Sequence, residues 1–502
     1  MQYRYRNVNF DRYRLGENME KSTNQKKEVI YLKIANLLEK QIFNNVLRVG
    51  EKLPSIRVIC EKLGVSMSTA QAAYWELERR KLIFSKPKSG YYVNNWNRNR
   101  HKLPDTSKPN LETVDEQKSD LLINIYDTIA DKNIVQFSLG IPSPDYLPIA
   151  KLNKSVVRAT RELQNSGIEY ESIEGNNLLR RHIAQWAINY NLNINENDVI
   201  TTAGCINAVA YCLMAVTNSG DIVAVESPAY YGILQLCQSL GLKVLELPTN
   251  PTNGIEVEAL EMVLNNYKIK ACILISNMNN PLGYSMPGGK KKAVVELITK
   301  HNVPLIEDDI YGELYFESIR PDTCKSYDTE GMVMLCNSFS KTLAPGYRVG
   351  WIIPGKFREQ IVKLKSINTI SVTSLTHQAI ADFLDSERYE NHLRKLRNIL
   401  HTNSLVFRET ISEHFPADIK ISQPKGGFFL WLELHKDIDT LKIYHEAIKH
   451  NISITPGKMF TLQNQFSNCM RLSFGLNWNE RTEKSLILLG KIITRYYNRL
   501  KN

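Results

Sequence analysis

The chain has 502 residues, 43% of them hydrophobic and 23% charged, with a net charge of +11. That length exceeds one small domain, the apolar fraction excludes a chain dominated by disorder, and no run approaches the roughly 18 apolar residues of a membrane span. Residues 1–100 carry 20 Lys and Arg against 9 Asp and Glu, whereas residues 101–502 carry 43 of each. A basic module joined to a neutral body is expected, with a polyanion as the partner of the module alone.

The chain opens on "MQYRYRNVNF", which has charge but none of the apolar run and cleavage site of a secretory signal. Residues 1–28 read as a disordered extension. The eight cysteines are scattered and none forms a CxxC pair. Neither a metal site nor a disulfide framework is expected, and the location is read as cytoplasmic with no membrane partner.

Residues 29–94 read as a small, mainly helical domain ending in a hairpin. One helix is predicted from about Ser55 to Leu63 and a second from about Met67 to Lys81, with "GVS" between them. Gly64 tolerates a positive φ in that turn, Val65 plugs the core and Ser66 caps the second helix. Ile56, Ile59, Leu63, Ala70, Tyr74 and Leu77 fall at spacings that let the two helices pack. "LIFSKPKSGYYV" reads as a two-stranded wing with Lys86 and Lys88 near its tip. The first turn of such a second helix offers backbone N–H groups and short polar side chains to DNA, so Ser66, Ser68 and Thr69, with Arg57, Lys86 and Lys88, are the candidate DNA contacts. The motifs "LPSIR", "LGVSMSTA" and "LERRKLI" and the wing, in that order, resemble the GntR-type winged helix-turn-helix. The resemblance implies a double-stranded DNA operator as partner. Met67 and Gln71 stand where many relatives carry arginine, the usual bidentate partner of guanine, so an AT-rich or shape-read operator is expected.

Residues 95–134 are polar and broken by proline, and read as a linker. From 135 to 502, strand-like segments ("DIVAVE", "KVLELP", "KACILIS", "VPLIEDD", "VMLCNSFS", "RVGWII") alternate with helical stretches such as 256–266 and 288–301. This predicts an α/β body with a mainly parallel sheet, followed from about 360 by a smaller α+β part.

Within that body Lys341 follows a buried strand, with Ser338 and Ser340 before it and Arg348 seven residues after. Taken alone, such a lysine snorkels to solvent. Beside two hydroxyls and a guanidinium able to hold a phosphate, it is also the lysine that pyridoxal 5′-phosphate requires. Other strand ends offer what that cofactor needs. Asp308 would face its pyridine nitrogen, Tyr311 and Asn280 its phenolic oxygen and Tyr230 its ring, while Gly204, Cys205 and Ile206 at a helix start would face its phosphate. Asp309 reads as a cap or a solvent-facing neighbour. Each position has an ordinary alternative as a cap, a turn or a core aromatic; their order along one α/β region carries the reading.

At these residues the chain resembles the fold-type I aminotransferases over roughly residues 137–502. The resemblance implies an internal aldimine at Lys341 as the catalytic lysine, and phosphate binding by Ser338, Ser340 and Arg348. It also implies a tyrosine, Tyr170, that reaches the neighbouring subunit's phosphate, and an arginine, Arg471, that takes a substrate or effector carboxylate. Cys205 and Ile206 replace the serine and glutamine common in relatives, which removes side-chain bonds to the phosphate and keeps the backbone donors. A GntR-type reader, a linker and an aminotransferase-like body together resemble the MocR subfamily of bacterial regulators. That resemblance implies a head-to-tail homodimer that senses an amino acid, an amine or the cofactor level through Lys341. The alternative is a working aminotransferase with an attached DNA-binding module.

Overall fold

The computed structural model describes residues 30–43, 46–47, 50–80, 82–86, 89–94, 101–114, 131, 133–163, 167–317, 319–385 and 388–501. The chain divides into two compact units, Met1–Arg100 and His101–Asn502. The predicted extension 1–28 and Lys88 lie outside the described residues.

The small unit is built from helices α1 (Ile30–Phe43), α2 (Ile56–Leu63) and α3 (Met67–Arg79), followed by strands β1 (Ile83–Lys86) and β2 (Gly90–Val93). Ser55 and Ser66 cap α2 and α3 by accepting the N–H groups of Val58 and Thr69, and Gly64 between them has φ 62°. Helix α3 ends at Arg79, two residues before the predicted end. Leu38, Ile59, Ala70, Tyr74 and Leu77 form the core, with Ile56, Leu63 and Val65 packed against it. The Tyr74 hydroxyl, buried here, donates to the Pro54 carbonyl at 2.6 Å. The wing pairs antiparallel from Ile83–Val93 to Lys86–Gly90, and a bridge from Lys52 to Tyr92 adds a third line of chain to it.

The large unit holds a nine-stranded sheet. Its strands are β3 (Thr113–Val114), β5 (Ile200–Thr202), β6 (Ile222–Ser227), β7 (Lys243–Asn250), β8 (Gly254–Ile255), β9 (Ile269–Leu274), β10 (Leu305–Asp308), β11 (Val333–Ser338) and β12 (Gly350–Ile353); β4 (Val135–Gln136) pairs with Ile452–Ser453 outside it. The order is β3-β7-β6-β9-β10-β11-β12-β5, with β8 on β7. The five strands β7-β6-β9-β10-β11 run parallel, as the alternating pattern predicts, and β12 and β5 close one side antiparallel. Strands β10 and β11 are buried along their whole length, which is why they read as unbroken apolar runs. The predicted helices 256–266 and 288–301 appear as Val257–Asn266 and Gly288–Lys300. Long helices then lead to a four-stranded antiparallel sheet that includes Phe429–Glu433 and Cys469–Ser473.

Two features differ from the sequence reading. Residues 101–114, read as linker, belong to the body: Ser107 exchanges hydrogen bonds with Thr249 (3.2 and 2.8 Å) and Thr113 pairs with Leu245. Strand β7 would otherwise present unpaired backbone groups at the sheet edge, so a polar, proline-broken segment is retained as its cover. Asp309, read as a cap or a solvent-facing residue, is fully buried and ion-paired to Arg320, which also holds Glu313 at 2.9 Å and stacks over the Tyr190 ring at 4.1 Å. Replacing Arg320 by Leu leaves two carboxylates buried without their cation. The change is expected to cost about 3–5 kcal/mol of body stability, measured as a lower unfolding midpoint in urea.

Candidate functional site

Parallel strands end on one edge of a sheet, and the side chains that follow those ends converge there. Strand β10 ends at Asp308 and β11 at Ser338, directly before the short turn Phe339–Lys341. The Lys341 amine donates to the Gly140 carbonyl at 2.6 Å. Burial pushes its pKa down to about 8, and the guanidinium groups of Arg471 and Arg348 add to that shift against the opposing Asp308 carboxylate. Burial likewise raises Asp308 to about 6. Its Oδ1 accepts from the Cys205 thiol at 3.1 Å and from the Ile310 N–H at 3.1 Å. The thiol, pushed well above its ordinary range chiefly by burial, stays a neutral donor. Cys205 therefore turns inward, toward the carboxylate.

Gly204 (φ 94°) begins the helix α4 (Cys205–Val216), and a Cβ on it would lie 2.3 Å from Arg348 Nη2. Only the missing side chain lets that guanidinium lie against the helix start. Arg348 itself has φ 56° and donates to Ala203 O at 3.0 Å, Pro345 O at 3.3 Å and the Ser340 hydroxyl at 3.4 Å. Ser338 Oγ accepts the Ser340 N–H at 3.2 Å and so caps the turn. Ile206, in the first turn of α4, is 39% exposed.

On the other side, the Asn280 amide donates to the Tyr311 hydroxyl at 3.2 Å and its oxygen accepts from Arg471 Nη1 at 2.9 Å. The Tyr311 hydroxyl is held protonated, its pKa raised first by burial, and its ring packs edge-on against Phe428 and Phe429 at 5.6 and 5.5 Å. Arg471 is fully buried, its Nη2 bonded to the Ser138 carbonyl at 2.5 Å and Thr455 Oγ1 at 3.2 Å, and its plane over Phe429 at 4.3 Å. Its Nε has no hydrogen-bond partner, and no carboxylate pairs with it among the described residues. Tyr230 is half-buried against Tyr231, centroids 4.7 Å apart, with Gly232 leaving the room that a Cβ 2.6 Å from its ring would take.

The structure thus brings Lys341, Asp308, Asn280, Tyr311, Cys205, Gly204, Ser340, Arg348 and Arg471 into one connected set. Tyr170 is 79% exposed and joins none of them within its own chain. Sequence reasoning missed Gly140, Ser138, Thr455 and Phe429, which bond or pack across 16 to 333 positions and carry no local motif.

In the small unit Arg57, Ser66, Ser68 and Lys86 are exposed and Thr69 is half-exposed. Ser66 Oγ lies 2.9 Å from Ser68 Oγ and 2.8 Å from Thr69 Oγ1, so the three hydroxyls form one cluster at the start of α3. The Lys86 amine lies over the Phe84 and Tyr92 rings at 5.4 and 5.0 Å.

Comparison with known proteins agrees with both units. Residues 30–93 match the gntR family of bacterial regulatory proteins, and residues 134–483 match aminotransferase class I and II. Over 93% of its length the chain is 37% identical to the uncharacterized HTH-type transcriptional regulator YjiR of Escherichia coli K12, of which 99% is covered. It is 36% identical to the uncharacterized HTH-type transcriptional regulator YdcR of the same organism, over 92% of this chain and 98% of that one. The fold of the body is that of LysN, the alpha-aminoadipate aminotransferase of Thermus thermophilus, solved with N-(5'-phosphopyridoxyl)-L-leucine. That match has TM-score 0.71 and 24% identity over 76% of this chain and 96% of that one. With a gntR-type reader followed by a class I and II aminotransferase body along nearly its whole length, the chain belongs to the MocR-type family of HTH-type transcriptional regulators.

Proposed function

We propose that the chain is a cytoplasmic, homodimeric transcriptional regulator whose reader binds double-stranded operator DNA and whose body holds pyridoxal 5′-phosphate and responds to an amino acid or amine. The observation that carries this reading is the pairing of a half-buried lysine of lowered pKa with a buried guanidinium, Arg471, that has no anionic partner among the described residues.

The residues fit the cofactor. The space beside Gly204, which a Cβ would fill, leaves Arg348 and the N–H groups of Gly204, Cys205 and Ile206 for a phosphate, with Ser340 beside them and Ser338 holding their turn. Lys341 feels two further cations, Arg471 and Arg348, against the carboxylate of Asp308, an excess that suits a phosphate dianion and a ligand carboxylate together. Bound there, the cofactor supplies an aldehyde that condenses with primary amines and a ring that withdraws electrons from them. Asp308 would keep a proton on the ring nitrogen, and Cys205 fixes which carboxylate oxygen is free to do so. Asn280 and Tyr311 would donate to the phenolic oxygen and Tyr230 would cover the ring. Lys341 would anchor the aldehyde and, when free, would hold or move a proton. Tyr170 of the partner subunit completes the phosphate site in a head-to-tail dimer. Arg471 takes the effector carboxylate. A response needs only differential affinity for two states of the body, without turnover. Sustained keto-acid production from an amino acid and an acceptor would favour the tethered aminotransferase instead.

Three outcomes are expected. With a pKa of about 8, Lys341 is roughly one-tenth neutral at pH 7, against about one in 2,500 for an ordinary lysine. The initial rate of cofactor capture, followed by a visible absorbance band, therefore rises with pH to a midpoint near 8, and Lys341→Ala gives no band. Gly204→Ala places a methyl on the Arg348 guanidinium at a left-handed φ, and cofactor affinity measured by titration falls by roughly tenfold or more. Arg471→Leu weakens the spectral response to α-amino acids by about a hundredfold and leaves the response to amines lacking a carboxylate unchanged.

A further inference from the structure

The first turn of α3 carries one large exposed side chain, and it is apolar. Met67 is 55% exposed, and its sulfur lies 3.9 Å from the Cys60 thiol of α2, which holds the chain against the helix pair. The polar groups around it are already engaged. The Ser66 hydroxyl bonds those of Ser68 and Thr69, and the Gln71 amide, one helical turn further on, donates to the Tyr91 hydroxyl of the wing at 2.9 Å. No guanidinium or uncommitted amide stands on that turn. A methionine half in water, at the point where a reader of this type meets the major groove, has one apolar partner available on the base edges: the 5-methyl group of a pyrimidine, which in unmodified DNA is thymine.

We propose that Met67 reads a thymine methyl in the major groove, so that the operator is selected for T·A at that position. The assignment rests on the reader being a sequence-specific DNA-binding module, as proposed above. Arg57 and Lys86 supply phosphate contacts that fix the register and carry no base preference. Gln71, held by Tyr91, props the wing against α3 instead of reaching for adenine.

The test uses the full chain and unmodified duplexes selected from a random pool. Each thymine of the selected site is then replaced by deoxyuridine in turn, which removes one methyl and leaves the pairing edge intact. One replacement is expected to weaken wild-type binding about fourfold, the equivalent of about 0.8 kcal/mol for one buried apolar carbon. The same replacement has no effect on Met67→Ala, while Met67→Leu keeps the sensitivity and Met67→Arg shifts selection toward guanine. Because Met67 is exposed, these variants fold, and unchanged melting temperatures confirm it. If every deoxyuridine replacement affects wild type and Met67→Ala alike, or if no thymine is selected, the assignment is overturned while the reader stands. If the full chain enriches no sequence at all, the assignment and the proposed role of the reader fall together.

Discussion

Unbalanced buried charge governs the body of this protein. At the C-terminal edge of a parallel sheet, Lys341 feels the buried Arg471 and the exposed Arg348 against the carboxylate of Asp308. Charges taken out of water are tolerated when they are paired or when their pKa moves, and both occur here: Lys341 shifts toward its neutral form, and Asp308 takes a thiol and a backbone N–H. Arg471 has no carboxylate partner among the described residues. It leans instead on the Ser138 carbonyl, the Asn280 amide oxygen and the Phe429 ring. The contrast with Arg320 is instructive, because that equally buried arginine is neutralised by Asp309 and Glu313. One guanidinium is neutralised by the scaffold, and the other has no carboxylate beside it among the described residues.

The scaffold makes this arrangement by bringing backbone close to backbone. A Cβ on Gly350 would lie 2.6 Å from the Gly204 carbonyl carbon, and one on Gly204 would meet Arg348. Strand β12 is thereby held tightly beside the start of α4, and that corner is made of main chain and one arginine. Such a corner has little freedom to relax, which suits a site that must distinguish bound from empty. The reader follows a different economy: its helices are fixed by two serine caps, a left-handed glycine and a Tyr74–Pro54 hydrogen bond, and its exposed turn is kept short and small.

Much of this is legible in the sequence because the signals are local. Gly64 and Ser66 predict the turn and cap between α2 and α3, and both take those roles. The alternation of apolar runs and helical stretches predicts the parallel sheet, and the residues at its strand ends can be named from the pattern alone. What cannot be read is set by distance in the chain. Nothing near Lys341 announces Gly140, 201 residues away, and nothing near Arg471 announces Ser138, 333 residues away. Asp308 and Asp309 are adjacent and chemically alike; at the end of β10 the first accepts from Cys205 and the second meets Arg320, and only the burial of Arg320 explains why the second is structural. Residues 101–114 mislead for another reason. Their composition is that of a linker, and their fixed position comes from the needs of a neighbouring strand, which composition does not record.

That last segment decides how the protein can be dissected. Strand β7 is eight residues long, and its outer edge is covered by Thr113–Val114, by Ser107 and by the short strand β8. A fragment cut where the aminotransferase match begins, near residue 134, would keep every residue of the candidate site and still bare the part of that edge that β8 does not cover. Open edges recruit other strands, so such a fragment would tend to self-associate, and its aggregation would reflect the missing cover more than any failure of the catalytic-type fold. The compact unit that includes the cover starts at His101.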